Sequence, residues 1–368
     1  MMMMRPFELS PETLGAPLAF DLFDRHGVLL LARGTRVTDP AQMARLNQRK
    51  LFARLEDLGD AAGEVLASPF AALSQVVAGL QRVFESEPGT TVDAPVRDLA
   101  DTLREVMAAD CDACLGWIAL ERIAPYALRH SVATALVCEL MASQLGLEPA
   151  AQRSVLCAAL TMNVGMFDLQ NLLADSNAAI GPEQREQILT HPERARAWLR
   201  ARGVDDERWL TAVADHHELL DGRGYPRQLA AAAIGLPARL VALADIYCAK
   251  TSERYYRPPK LPGAAAQDIL RGRRSGVDPM LAGILFRTLG AHPPGTLVRL
   301  ANREVAVITH NSPGGTPVVV SVLDPSDEPL LQPGPRDAAR VATAVRGYIT
   351  FDARRHRFDL ERLWGYRG

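Results

Sequence analysis

Four histidines and one acid carry most of the chemistry that this sequence can offer. They are His130 in "LRHS", His191 in "THPE", His216 and His217 in "DHHE", and Asp245 in "ALADIY". Asp245 falls within an apolar helical pattern, where a carboxylate costs several kcal/mol unless it is paired or holds a metal. Imidazoles and a carboxylate drawn from separate helices suit borderline divalent ions such as zinc, iron or manganese. Neighbours on a helix point about 100° apart. His216 and His217 can therefore serve one centre only at a helix end or across two metals. His26, His292, His310 and His356 lie in loop or β contexts and receive no role.

Two further patterns fit a phosphate-bearing ligand. "DGRGYP" sets Gly222 and Gly224 beside a proline-stiffened turn, where backbone can approach a ligand closely. "TSERYYR" places Arg254 and Arg257 at i and i+3, a spacing that suits a forked clamp on phosphate oxygens. The Cys111–Cys114 pair has neither a second such pair nor a nearby histidine, so it reads as ordinary helical cysteine.

The elements that must position these residues follow from periodicity. Short apolar runs around "DRHG" predict a β hairpin within residues 1–60, and "AQMARLNQRKLFARL" predicts a helix after it. Residues 61–122 read as a helical linker region. Residues 123–290 form the most helical part. There "HSVATALVCELMASQLGL", "AQRSVLCAAL", "EQREQILTHPERARAWLRARG", "DERWLTAVADHHELL", "PARLVALADIYCAKTSERY" and "DPMLAGILFRTLG" repeat at helical spacing. From residue 291 to 368 the pattern changes to short β-rich runs, "GTLVRLANREVAVITH", "TPVVVSVLDP" and "RGYITFD". The expected fold class is mainly α: an all-helical domain with small β-containing domains at both ends.

A chain of 368 residues exceeds one ordinary core. Its formal net charge of −2 gives no bulk attraction to DNA or to an anionic membrane. The apolar runs break well before the roughly 20 residues of a membrane span. The N-terminus lacks the apolar stretch of a secretory signal. Five cysteines in this length make no disulfide framework, and a reducing cytoplasm is the expected location.

Taken together, "HHELLDGRGYPRQL" followed by "IGLPARLVALADIYCAKTSERYYR" resembles the HD-GYP family, a branch of the HD metal phosphohydrolases that opens the second messenger cyclic di-GMP. "RHSVATALVCELMASQLGL" resembles the first histidine helix of that family, and "THPE" its intermediate histidine. The match runs over roughly residues 125–290. The resemblance implies that His130 and Asp245 belong to a first metal site and that His191, His216 and His217 belong to a second. It implies ligand contacts from Tyr225 beside Gly224, and from Arg254 and Arg257.

The chain departs from the family at "MNVGM". Met162 stands where the family has the histidine of its HD pair, Asn163 replaces the bridging aspartate, and Met166 replaces a lysine that contacts phosphate. Tyr126 occupies a position where some members carry a further acidic ligand, and Cys248 and Lys250 also replace usual residues. A thioether is a poor ligand for borderline ions, and a neutral amide cannot hold two cations together. These changes lead to an expectation of at most one divalent metal (Fe, Mn or Zn) per chain. The expected function is a degenerate signalling protein that binds cyclic di-GMP, a related cyclic dinucleotide or a partner such as a diguanylate cyclase, with weak or no hydrolysis. Two alternatives stay open: an active phosphodiesterase with altered metal coordination, and an interaction scaffold that binds no nucleotide.

Overall fold

The computed structural model describes residues 4–24, 28–48, 51–54, 68–253, 259–272, 276–311, 316–350 and 357–367. The chain divides into two compact units. One comprises the described parts of Met1–Ala71, Pro294–Ile349 and His356–Gly368; the other comprises those of Ala72–Pro293 and Thr350–Arg355.

The N-terminal segment forms strands β1 (Met4–Phe7), β2 (Leu22–Phe23) and β3 (Leu29–Leu31), then helix α1 (Pro40–Gln48) and strand β4 (Leu51–Arg54). The sheet runs β1-β4-β2-β3, with antiparallel pairing throughout. The hairpin expected around "DRHG" is present as β2 and β3. The helix expected over "AQMARLNQRKLFARL" is not continuous, because Leu51–Arg54 pairs with β1 as a strand. Leu51 and Ala53 join Leu9, Leu18, Leu22 and Val37 in a small core. The alternate apolar positions of "LFAR" served that core better than a further helical turn would.

The helical unit contains α2 (Pro69–Phe84), α3 (Asp93–Ala109), α4 (Cys111–Leu120), α5 (Tyr126–Gln144), α6 (Pro149–Thr161), α7 (Phe167–Ala174), α8 (Pro182–Arg200), α9 (Glu207–Asp215), α10 (Leu236–Thr251), α11 (Pro262–Arg271) and α12 (Pro279–Leu289). Proline opens α6, α8, α11 and α12, where its missing N–H costs nothing. Asp110, Asp206 and Asp278 cap α4, α9 and α12 by accepting backbone N–H bonds from the first turn. Cys111 and Cys114 lie one turn apart on α4.

Helix α5 is buried on every face from Tyr126 to Ala142, and α10 is nearly so; α5 packs against both α6 and α10. An all-round apolar helix of this kind belongs at the centre of a bundle. His130 and Asp245 are thereby carried on two packed central helices of the unit. The buried Trp209 on α9 donates its indole N–H to Thr161 Oγ1 on α6 at 2.8 Å, tying the helix that precedes the paired histidines to the core.

The C-terminal segment forms β5 (Leu297–Leu300), β6 (Val305–His310), β7 (Val318–Leu323), β8 (Pro329–Arg336), β9 (Val345–Ile349) and a short α13 (Leu360–Leu363). Its antiparallel sheet runs β8-β7-β6-β5-β9 around Val298, Leu300, Ala306, Ile308 and Val319. Strand β8, "PLLQPGPR", is absent from the expected runs, because three prolines and a glycine mask it. It is an edge strand, the position where proline is tolerated.

Candidate metal centre

Helix α8 carries Pro192 in its interior, directly after His191. Proline has no N–H, so the Ile188 carbonyl four residues back loses its helical partner. His191 Nδ1 donates to that same Ile188 carbonyl at 2.6 Å. A related arrangement occurs at the end of α9, which stops at Asp215 instead of running through "HHELL" as expected. The last carbonyls of a helix lack intrahelical donors. His216 Nδ1 donates to one of them, Val213 O, at 2.7 Å.

With each Nδ1 proton committed to a carbonyl, each Nε2 presents a lone pair. The two Nε2 atoms lie 3.2 Å apart. Together with His217, the three histidines bring one ligand atom each to within 4.8 Å of one another. Two nitrogens held at roughly 2.0–2.1 Å from a tetrahedral ion lie about 3.3–3.4 Å apart, so the spacing matches a shared cation. Burial, together with the neighbouring His216, pushes the His191 imidazole down to about 3. Burial likewise lowers His216 and His217. All three are therefore neutral at physiological pH, the state that a metal requires. The end of α9 at Asp215 also answers the geometric objection to adjacent histidines, because His217 lies beyond the helix.

His130 and Asp245 meet across α5 and α10, with His130 Nε2 hydrogen-bonded to Asp245 Oδ1 at 2.6 Å. Burial alone would raise the Asp245 carboxyl. The His130 hydrogen bond and the nearby His217 and His216 instead hold it well below the usual carboxylate range. The Tyr126 ring stacks on His130 at 5.5 Å between centroids. Met162 is fully buried and outside the cavity wall. Asn163 lies in the wall, and its Oδ1 accepts no hydrogen bond among the described residues. The three-histidine set fits a divalent ion. The other set does not, since His130 and Asp245 hydrogen-bond each other and its third position is a neutral amide.

A cavity of about 570 Å³ opens over this centre. Its lining includes the polar His130, Asn163, His217, Tyr225 and Asp245 together with the apolar Leu173, Ala178, Ile180 and Ile188. Met166 also lines it, in place of a cation. Gly165 lets this segment lie on α8, since a Cβ there would come within 2.5 Å of the His191 carbonyl oxygen.

The loop after α9 folds back on the histidines. Tyr225 stacks on His217 with centroids 4.6 Å apart, and its N–H donates to the His217 carbonyl at 3.2 Å. Gly224 permits this, because a Cβ there would sit 2.5 Å from Glu218 Cα. Burial pushes the Tyr225 phenol up, so it remains a hydrogen-bond donor. Glu218 clamps the loop by accepting the Arg227 N–H at 2.6 Å and the Leu229 N–H at 2.8 Å. Arg227 pairs with the buried Asp215. Pro192, Asp215, Glu218, Arg227 and Gln170 were not singled out in the sequence. The His-Pro dipeptide was the one local signal that marked a carbonyl needing a donor. Arg254 and Arg257 lie outside the described residues.

Residues 114–281 match the family model described as "HD domain". The chain is 28% identical over 232 residues to the cyclic di-GMP phosphodiesterase PA4108 of Pseudomonas aeruginosa, covering 61% of this chain and 54% of that protein. It is 32% identical over 135 residues to the 3'3'-cGAMP-specific phosphodiesterase 1 of Vibrio cholerae, covering 36% and 30%. It therefore spans about half, or less, of the length of these relatives. Its fold is similar to that of Bd1817, a HDG"Y"P protein from Bdellovibrio bacteriovorus, with a TM-score of 0.52 and 15% identity over 78% of this chain and 99% of the other. The helical unit is thus built on an HD domain. The HD-domain match over residues 114–281, the named phosphodiesterase relatives, and the double histidine with its Gly-Tyr-Pro loop together support a likeness to HD-GYP proteins.

Proposed function

We propose that this HD-GYP-like domain is a degenerate signalling module. It binds cyclic di-GMP or a related cyclic dinucleotide, holds at most one divalent ion, and hydrolyses the ligand weakly or not at all. The observation that carries this reading is the asymmetry of the centre: three neutral histidines converge, while the bridging position is occupied by the unpartnered amide of Asn163. A cyclic dinucleotide ligand is supported by the relatives, whose names specify cyclic di-GMP and 3'3'-cGAMP. His191, His216 and His217 would hold the ion, and iron, manganese and zinc all suit such a donor set. When bound, the ion supplies Lewis acidity to a phosphoryl oxygen.

The protein's own groups bind and orient the ligand. Tyr225 offers a phenol donor and an aromatic face at the cavity, and Leu173, Ala178, Ile180 and Ile188 add apolar lining. Without a carboxylate at position 163, no second cation is held against the first, and the loss of a lysine at Met166 weakens the grip on phosphate.

The test combines metal analysis of the purified protein with incubation in cyclic di-GMP and manganese or ferrous iron, followed by chromatography. The proposal expects one metal or fewer per chain, nucleotide binding, and little linear dinucleotide. Two metals per chain, or rapid turnover that Asp245→Ala abolishes, would overturn it in favour of an active phosphodiesterase. Absence of both binding and turnover would favour a scaffold that contacts another signalling protein.

A further inference from the structure

The turn between α4 and α5 holds two arginines that no acid pairs. Arg122 Nη1 donates to the Glu121 carbonyl at 2.5 Å, and its Nη2 donates to the Ala119 carbonyl at 2.7 Å. Arg129, on α5, sends its own Nη1 to the same Glu121 carbonyl at 3.2 Å. One shared acceptor therefore fixes the two guanidiniums side by side. Arg129 is 8% exposed, and neither arginine forms an ion pair among the described residues. The adjoining acid, Glu121, gives its carboxylate to the N–H groups of Ile123 and Ala124. Glu253 attracts both guanidiniums, and Asp175 attracts Arg129, from beyond ion-pair distance.

Burial outweighs that attraction. Together with the positive charge of Arg129 it pushes Arg122 down to about 10, and it lowers Arg129 as well. Buried charges are as a rule paired, so helix capping has to be weighed as the whole explanation. The C-terminus of α4 presents about half a negative charge. Arg122 alone serves two of its carbonyls, and the Arg129 bond goes to an oxygen already taken. Capping accounts for one arginine and leaves the second. The donors left over are reachable. Nε and Nη2 of Arg129 have no partner among the described residues and, unlike Arg122 Nε, they are not sealed from solvent.

We propose that Arg122 and Arg129 form a socket for a phosphate group, with Nε and Nη2 of Arg129 as the fork that grips two of its oxygens. Two adjacent positive charges and a planar fork suit a doubly charged tetrahedral oxyanion better than a halide or a lone carboxylate. The socket is distinct from the metal centre and does not depend on cyclic dinucleotide binding. It abuts the cavity through Tyr126, whose ring lines that cavity and lies 5.7 Å from the Arg129 guanidinium carbon. Free phosphate and the phosphate of a nucleoside monophosphate share the chemistry that the socket recognises.

The test titrates inorganic phosphate and, in a parallel arm, guanosine monophosphate into the full chain by calorimetry. A chelator is present, so that no metal supplies the binding. The wild type is expected to bind at one site per chain, and the tighter of the two ligands names the source. Arg129→Lys keeps the charge and loses the fork, so it should weaken binding by about tenfold or more. Arg122→Met should weaken it as well, with circular dichroism checking that each variant is folded. His191→Gln, which removes a metal ligand, should keep the phosphate response. A wild type that binds neither ligand, or Arg129→Lys and Arg122→Met variants that both bind as the wild type does, would overturn the socket. Loss of binding in His191→Gln with both arginine variants unaffected would place the anion at the histidines and overturn it too.

Discussion

His191 and His216 face each other through their Nε2 atoms at 3.2 Å, with no proton available to lie between them. Each ring has spent its Nδ1 proton on a helix carbonyl. Two opposed lone pairs at this distance repel unless a cation joins them. Metal-free protein should therefore take up one zinc or manganese ion per chain in calorimetry. His191→Gln and His216→Gln should each weaken uptake by on the order of a hundredfold. Unchanged affinity in both variants would place the ion elsewhere.

Asn163 lines the cavity beside the His130–Asp245 pair, whereas Met162 is buried behind it. Asn163→Asp restores the charge that a second cation needs. Combined with Met162→His, it should raise metal content toward two per chain, with Asn163→Asp alone giving part of the gain. Elemental analysis after dialysis provides the readout. If the double variant stays at one metal, the pocket has diverged beyond these two positions.

Acid sensitivity follows from the buried imidazoles. His191 titrates at about 3 in the folded protein, against about 6.5 in an unfolded chain. Between those values the unfolded state binds the extra proton, so stability is lost as pH falls from about 6.5 toward 3. His216 and His217 shift in the same direction. Between pH 6.5 and 4.5, His191 alone should account for roughly 2–3 kcal/mol. Urea melts with a chelator present should show that drop, and His191→Gln should flatten part of it. A pH-independent midpoint over this range would contradict neutral burial.

Gly224 makes room for the loop that holds Tyr225 on His217. Gly224→Ala should lift that loop, lowering affinity for cyclic di-GMP by at least about tenfold while helical content by circular dichroism stays constant. Tyr225→Phe keeps the stack and removes only the phenol, so it should fall between wild type and Gly224→Ala. If Gly224→Ala binds normally, the loop is not part of the ligand site.

Much of this was legible in the residues, for definite reasons. The central helices repeat their apolar residues without a polar stripe, so α5 and α10 were readable, as were His130 and Asp245 on them. The double histidine and the Gly-Tyr-Pro loop have local signatures. What sequence could not give was long-range competition for the same backbone. Leu51–Arg54 suits either a helix or a strand until β1 is there to pair with it. Strand β8 is hidden by its prolines. Gln170 looks like an ordinary helical glutamine, and only the three-dimensional structure shows that its oxygen is buried without a partner among the described residues.

Pro192 has an evolutionary consequence. Substitution by alanine would restore a helical hydrogen bond to the Ile188 carbonyl and improve helix propensity, so on stability alone it should be favoured. The same change would make the backbone compete with His191 for that carbonyl and let the ring exchange tautomers, putting a proton on Nε2 for part of the time. A stability screen would select Pro192→Ala as an improvement, while a metal-binding screen would discard it. The two selections would thus separate at a residue that touches neither ion nor nucleotide.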